Sequence, residues 1–265
     1  MSWRLFVWLG QRHMVWFFAM ALACTAPASL AGVTEAIERV KPSIVAVGTY
    51  QKTRSPAFKF FGTGFVVGNG LLIATNAHVV PSKIDTEQFE ALVVQLPALG
   101  SRPAQLREAR LVAEDKAHDV ALLRISGAAL PALVLRDSNS VREGHTYAFT
   151  GFPIGGILGL SPVTHRAMVS SLTPIALPTG HSAQLNQQAI ARIKSGVFTI
   201  FQLDATAYPG NSGSPLYDPE SGEVVGVINM VFVKGSKESG LTQPSGISFA
   251  IPIEYLQKLL GSVGQ

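Results

Sequence analysis

At 265 residues, with 47% hydrophobic and 14% charged side chains, the chain can bury a large core, which excludes an intrinsically disordered protein. Its formal charge of +4 comes with no basic run and no interleaving of aromatic and basic residues, so no nucleic-acid partner is expected. A single cysteine, Cys24, excludes an internal disulfide framework and a thiolate metal site.

The first 31 residues have the layout of a secretory signal peptide. Arg4 and Arg12 make a basic start, Met14–Ala23 is apolar, and Ser29-Leu30-Ala31 places small residues before Gly32, with Ala26-Pro27-Ala28 as a second cleavage candidate. The apolar run is short for a membrane span. An uncleaved anchor is one alternative, and a lipoprotein built on Ala21-Leu22-Ala23-Cys24 is another. Cleavage after Ala31 leaves a mature chain without cysteine, which fits a periplasmic or secreted protein of a bacterial envelope.

Beyond Gly32, residues 33–40 predict a short helix with Thr34 near its start, ended by Pro42. Short apolar runs punctuated by glycine and proline follow, the pattern of an all-β chain. Ser43–Tyr50 comes first, then Gly62–Val67 and Leu71–Asn76 on either side of the hairpin signal Gly68-Asn69-Gly70. Ala91–Leu96, Leu106–Val112 and Val120–Ile125 make six strands, and Pro131 to about Gly144 connects them to a second set. That set is Thr146–Gly151, Val163–Leu172, Val197–Leu203, Ser214–Tyr217, Val224–Val233 and Ile247–Ile251, closed by a helix over Ile253–Leu260. The longest irregular stretch, Pro178–Gly196, contains a possible helix at Leu185–Lys194.

Three segments carry chemistry. Gly210-Asn211-Ser212-Gly213-Ser214-Pro215-Leu216 sets a serine between two glycines, whose freedom at positive φ lets backbone N–H groups approach a ligand. By itself this is also ordinary turn composition. Ala74-Thr75-Asn76-Ala77-His78-Val79-Val80 and His118-Asp119-Val120-Ala121-Leu122-Leu123-Arg124-Ile125 add a histidine and an aspartate, giving the order His78, Asp119, Ser212. That is the chain order of the chymotrypsin-type triad and differs from those of subtilisins and α/β-hydrolases. Ser212 needs a base to become a nucleophile, His78 titrates in the right range for one, and Asp119, at the edge of an apolar run, needs a partner such as the imidazole N–H. Asp115 competes for that role but lies in the polar stretch Glu114–Lys116. His13, His118, His145, His165 and His181 are dispersed without metal-ligand spacing, so neither metal nor cofactor is expected.

With these motifs the chain resembles bacterial trypsin-like serine proteases of the HtrA (Deg) group. Val40-Lys41-Pro42-Ser43-Ile44-Val45, Gly62-Thr63-Gly64-Phe65-Val66-Val67, Gly151-Phe152-Pro153-Ile154-Gly155 and Phe249-Ala250-Ile251-Pro252 extend the resemblance from about Val33 to Leu260. It implies two antiparallel six-stranded β-barrels, about 43–130 and about 145–252, within a protease domain over 32–265 that has a short N-terminal helix, a closing helix at 253–260 and the active site in the cleft between the barrels. It also implies a serine endopeptidase acting on unfolded or exposed polypeptides, with the backbone N–H groups of Gly210 and Ser212 as oxyanion hole. Thr206 and Ala207 would line the pocket for the side chain before the scissile bond. Neither is acidic, which argues against cleavage after Lys or Arg and for a small or medium apolar residue.

Two departures from the group's pattern stand out. No PDZ domain is expected after the closing helix, and Ser214 replaces the usual glycine, giving a Gly-Asn-Ser-Gly-Ser-Pro form that resembles glutamyl endopeptidases and keeps Glu specificity open. Asn211 stands where trypsins have aspartate, so activation through a freshly cut N-terminus is not expected. Pro178–Gly196 matches in position the regulatory loop of the group, or is a solvated excursion. Asn229–Val231 would pair with substrate backbone or serve only as barrel strand. The alternatives to an active peptidase are a catalytically restrained chaperone or peptide-binding module on the same fold, and an α/β-hydrolase esterase, which the chain order and Ser214 both disfavour.

Overall fold

The computed structural model describes residues 32–98, 100–101, 103–174, 198–229 and 246–264. The expected signal peptide, the helix at 185–194 and the strand beyond Asn229 lie outside them.

Helix α1 (Val33–Val40) buries Ala36 and Val40 and has Glu35 in its first turn and Arg39 in its last, which complements the helix dipole. Pro42 does not break the chain away. It occupies the first turn of a 3-10 turn, Lys41–Ser43, where its missing N–H is of no consequence.

Twelve strands follow and close into two antiparallel barrels. The first contains β1 (Ile44–Tyr50), β2 (Phe58–Val67), β3 (Leu72–Thr75), β4 (Ala91–Leu96), β5 (Gln105–Asp115) and β6 (Val120–Ile125), arranged β1-β2-β3-β6-β5-β4. The second contains β7 (Thr146–Gly151), β8 (Val163–Pro174), β9 (Thr199–Asp204), β10 (Pro215–Tyr217), β11 (Val224–Asn229) and β12 (Ile247–Pro252), arranged β10-β11-β12-β9-β8-β7. Helix α2 (Ile253–Ser262) closes the described chain, with Ile253 and Leu256 fully buried.

Turn chemistry sets the register of the hairpin that leads to the candidate site. β2 and β3 pair Phe65 with Ala74 and Val67 with Leu72. Gly68 and Gly70 take φ of 61° and 85°, and Asn69 Oδ1 accepts from Leu71 N at 3.1 Å. The structure departs from the sequence expectation where strands carry polar residues. β2 starts at Phe58 rather than Gly62, because Phe58, Lys59 and Phe60 pair with Tyr50, Thr49 and Gly48 beyond a bulge at Val47/Gly48. β5 reaches Asp115, and most of its side chains are exposed or half-buried, so its outer end has no apolar pattern.

Each barrel fills its own interior. Val45, Val47, Val66, Ile73, Val94 and Leu123 pack in the first, and Tyr147, Phe149, Val169, Leu203, Leu216 and Ile228 in the second. A third cluster takes residues from both barrels and α2, including Ile44, Phe65, Leu122, Phe152, Tyr217 and Leu256. The connection between barrels bonds to each: Leu133 N donates to Val66 O at 2.9 Å, and Arg136 N to Val224 O at 2.8 Å.

On the first barrel, Glu90 Oε1 accepts from Thr49 Oγ1 and from Arg54 Nη1, both at 2.6 Å, while Oε2 accepts from Asp85 N at 3.1 Å. Hydrogen bonds from Thr49, Asp85 and Arg54, with the Arg54 charge, lower its pKa from 4.5 to about 2. A carboxyl depressed in the folded state stabilises fully above its unfolded value and loses that contribution as pH falls towards the folded one. Stability measured by urea denaturation should therefore drop between about pH 4.5 and pH 2 in the wild type, and Glu90→Gln should flatten that part of the profile.

Candidate active site

β3 ends at Thr75, and the extended Asn76 leads into a 3-10 turn, Ala77–Val79, that carries His78. On this turn the backbone and the ring of His78 address the same carboxylate. Asp119 Oδ1 accepts from His78 N at 2.9 Å, and Asp119 Oδ2 lies 2.6 Å from His78 Nδ1. An ionised carboxylate can only accept, so Nδ1 carries the proton and Nε2 keeps its lone pair. Asp119 is 5% exposed, and its second oxygen also accepts from Asn229 Nδ2 at 2.7 Å, so the buried charge has three donors.

Asp119 has φ of 55°, a left-handed conformation that costs a residue with a Cβ on the order of 1 kcal/mol. Two donors hold its carbonyl: Asn76 Nδ2 at 3.0 Å and Ala77 N at 3.2 Å.

Ser212 lies on the loop before β10 and is 6% exposed. The loop is wired internally by Asn211 N to Tyr208 O (2.9 Å), Gly213 N to Ile228 O (3.0 Å) and Ser214 N to Asn211 O (3.0 Å). Among the described residues, the N–H groups of Gly210 and Ser212 donate no hydrogen bond. Pro209 O accepts from Ile154 N at 2.7 Å, and across a trans peptide this turns the Gly210 N–H the opposite way. Gly210 and Gly213 have φ of 103° and 86°. A Cβ on the first would collide with Phe152 O, and on the second with Thr63 O, so both positions require glycine.

Thr63, on β2 of the first barrel, binds this second-barrel loop at two points. Its N–H donates to Ser212 O at 2.8 Å and its Oγ1 to Gly210 O at 2.7 Å. Its Oγ1 also accepts from Phe152 N at 3.1 Å, and its carbonyl accepts from Thr75 Oγ1 at 2.7 Å. A Cβ at the neighbouring Gly62 would lie 2.8 Å from Val79 and 3.0 Å from Ser212 O, so the histidine turn and the serine loop face each other across this glycine. Among the described residues no hydrogen bond joins Ser212 Oγ to the His78 ring. The contact between His78 and Asp119 is made, and the one between Ser212 and His78 is not.

Thr206 is half-buried and Ala207 buried on the segment leading to the serine loop. Ser248 Oγ on β12 clamps that segment, accepting from Ala207 N at 3.0 Å and donating to Ala205 O at 2.6 Å. Ser214 is fully buried, with its Oγ pressed into the space beside Gly151 and near Thr63 Oγ1 and Asn211 Oδ1. It faces the protein interior.

The sequence analysis did not assign four residues the hydrogen bonds they make at the site. Thr63 had a signal in its flanking glycines, and Asn229 in closing an otherwise apolar run; Asn76 and Ser248 had none. Asp115 does not compete for His78. Its Oδ2 lies 2.6 Å from His118 Nδ1, which gives His118 a context that the sequence did not reveal. His165 stacks on Phe149 with ring centroids 4.8 Å apart, and burial lowers its pKa. Among the described residues no cluster of three or more histidine, cysteine, aspartate or glutamate side chains could hold a metal ion.

Residues 62–227 match the family model described as a trypsin-like peptidase domain. The chain belongs to the trypsin-like peptidase family. It is 30% identical over 194 residues to a probable periplasmic serine endoprotease DegP-like of Halomonas elongata, covering 73% of this chain and 33% of that protein. It is 31% identical over 199 residues to the mitochondrial serine protease HTRA2 of Drosophila pseudoobscura pseudoobscura, covering 75% and 38% respectively. A DegP-like endoprotease of Pseudomonas putida aligns at 26% identity over 95% of this chain and 52% of its own length. The chain thus spans from a third to about half of these relatives. In fold it matches the HtrA-type protease AlgWS227A with tripeptide at a TM-score of 0.60 and 23% identity, covering 87% of this chain and 63% of that one.

Thr63→Val would leave Gly210 O and Phe152 N without partners, each worth about 1–3 kcal/mol when buried and unpaired. Urea denaturation should show that loss in Thr63→Val and little change in Thr63→Ser, which keeps the hydroxyl.

Proposed function

We propose that this protein is a serine endopeptidase of the bacterial envelope that cleaves unfolded or exposed polypeptide through Ser212, His78 and Asp119. The observation that carries the proposal is the double use of one buried carboxylate, Asp119, on His78, beside a loop whose undonated N–H groups are those of Gly210 and Ser212.

His78 Nε2 takes the proton from Ser212 Oγ as the oxygen adds to the substrate carbonyl, and Asp119 stabilises the resulting imidazolium. The carbonyl oxygen, now an oxyanion, accepts from Gly210 N–H and Ser212 N–H; one such donor is worth on the order of 3 kcal/mol of barrier. His78 then protonates the departing amine as the C–N bond breaks, leaving an ester on Ser212. Water, deprotonated by His78, attacks that ester, and the acid product leaves with Ser212 restored. Thr206 and Ala207 carry no charge, which supports a small or medium apolar side chain before the scissile bond rather than Lys or Arg.

The envelope assignment draws on the basic-then-apolar N-terminus and on relatives named as periplasmic endoproteases. No helix among the described residues is long and apolar enough to cross a membrane. The open Ser–His geometry favours, as second reading, a restrained protease-fold chaperone that binds unfolded chains without turnover.

One experiment separates the two. A fluorophosphonate probe should label the wild type on Ser212, and Ser212→Ala should lose both the label and casein cleavage, with turnover down by a factor on the order of 10⁶. Equal labelling of wild type and Ser212→Ala would overturn the assignment of the nucleophile. Binding of unfolded casein with neither label nor cleavage would establish the restrained reading.

A further inference from the structure

Asp119 is held from behind by a second histidine–aspartate pair. Asp115 Oδ1 accepts from Ala117 N at 3.0 Å and His118 N at 3.1 Å, and its Oδ2 lies 2.6 Å from His118 Nδ1. One carboxylate thus binds three donors of the turn that delivers Asp119 into the site. The His118 ring stacks on Tyr255 of α2, with centroids 3.9 Å apart and planes 14° from parallel. Phe198 meets both rings edge-on, at 4.7 Å from His118 and 5.1 Å from Tyr255. Tyr255 is half-buried on α2, next to the fully buried Leu256. The line of contact runs from α2 through Tyr255 and His118 to the adjacent Asp119, the residue in left-handed conformation at φ 55°.

We infer that His118, clamped by Asp115 and stacked on Tyr255, is a positioning residue that sets the orientation of Asp119 and, through it, of the His78 ring. The inference rests on the peptidase reading for its consequence in catalysis, but its structural content does not. A bare β-turn would leave Asp119 to its backbone preferences, which disfavour positive φ for a residue with a Cβ. The aromatic stack supplies a rigid surface on which the turn is seated. His118 touches neither Ser212 nor a substrate, so its influence on the reaction is geometric. A displacement of about 1 Å in such a supporting group suffices to lower a rate about 100-fold.

The test follows two signals in the full-length protein. The first is the low-field proton resonance of His78 Nδ1–H in its hydrogen bond to Asp119, and the second is the rate of labelling by the fluorophosphonate probe. In His118→Ala the resonance should shift or broaden and the labelling rate should fall roughly 10- to 100-fold. Tyr255→Phe keeps the ring and should leave both signals as in the wild type. If His118→Ala does not fold, as judged by near-ultraviolet circular dichroism, His118→Phe replaces it: that variant keeps a stacking ring, loses the bond to Asp115, and should move the resonance in the same direction. An unmoved resonance in a folded His118 variant overturns the inference, whatever the labelling rate, as does a wild type that lacks the resonance. A wild type that shows the resonance but takes no label would refute the peptidase reading while leaving the positioning role open to the same comparison of resonances.

Discussion

The hold of Thr63 on the serine loop is the contact on which the rest of the site depends. A loop rich in glycine has little stiffness of its own, because Gly210 and Gly213 lack the side chains that would restrict it. Its shape is imposed from outside. Thr63 donates to two of its carbonyls, Gly210 O and Ser212 O, and thereby orients the Gly210–Asn211 and Ser212–Gly213 peptide groups. The N–H groups of Gly210 and Ser212 belong to the other two peptides, whose carbonyls, Pro209 O and Asn211 O, accept from Ile154 N and Ser214 N. The glycines are therefore less a source of flexibility than a means of bringing backbone within 3 Å of another backbone.

A similar logic governs the charged half. Burying a carboxylate is unfavourable unless every lone pair that leaves water finds a donor. Asp119 meets that demand with the His78 backbone, the His78 ring and Asn229. Two of these donors come from the first barrel and one from the second, so the carboxylate is fully satisfied only when the barrels are docked. The geometry that stabilises the buried carboxylate also holds the orientation of the His78 ring.

The sequence disclosed the barrels well wherever burial was two-sided. β4, β6 and β7 are apolar runs bounded by turn residues, and their ends are where the pattern changes. β2 and β5 were harder because their outer ends are only partly buried and are held by pairing with β1 and β6, a long-range fact that no local window contains. The same distinction runs through the site. Chain order and local motif pointed to His78, Asp119 and Ser212, since each type of side chain has few other reasons to sit in such a context. Thr63 and Asn229 act through hydrogen bonds to Gly210 and Asp119, 147 and 110 positions away, and Ser248 through bonds to the segment after β9, 41 and 43 positions back; a threonine, an asparagine or a serine in a strand has many ordinary explanations. Asp115 was set aside for its polar neighbourhood, yet that neighbourhood is where a carboxylate can cap the turn before β6.

Taken together, these contacts divide labour between barrels in a way that constrains how the site can fail. The first barrel supplies the histidine and its carboxylate, and the second supplies the serine and the free N–H groups. Thr63 and Asn229 each reach across in opposite directions, so neither half is complete without a polar group from the other. A shift between barrels would break both reaches at once and would unpair Gly210 O, Ser212 O and one donor to Asp119. Such unpairing of buried groups is strongly unfavourable, which makes intermediate arrangements costly and a partly assembled site short-lived.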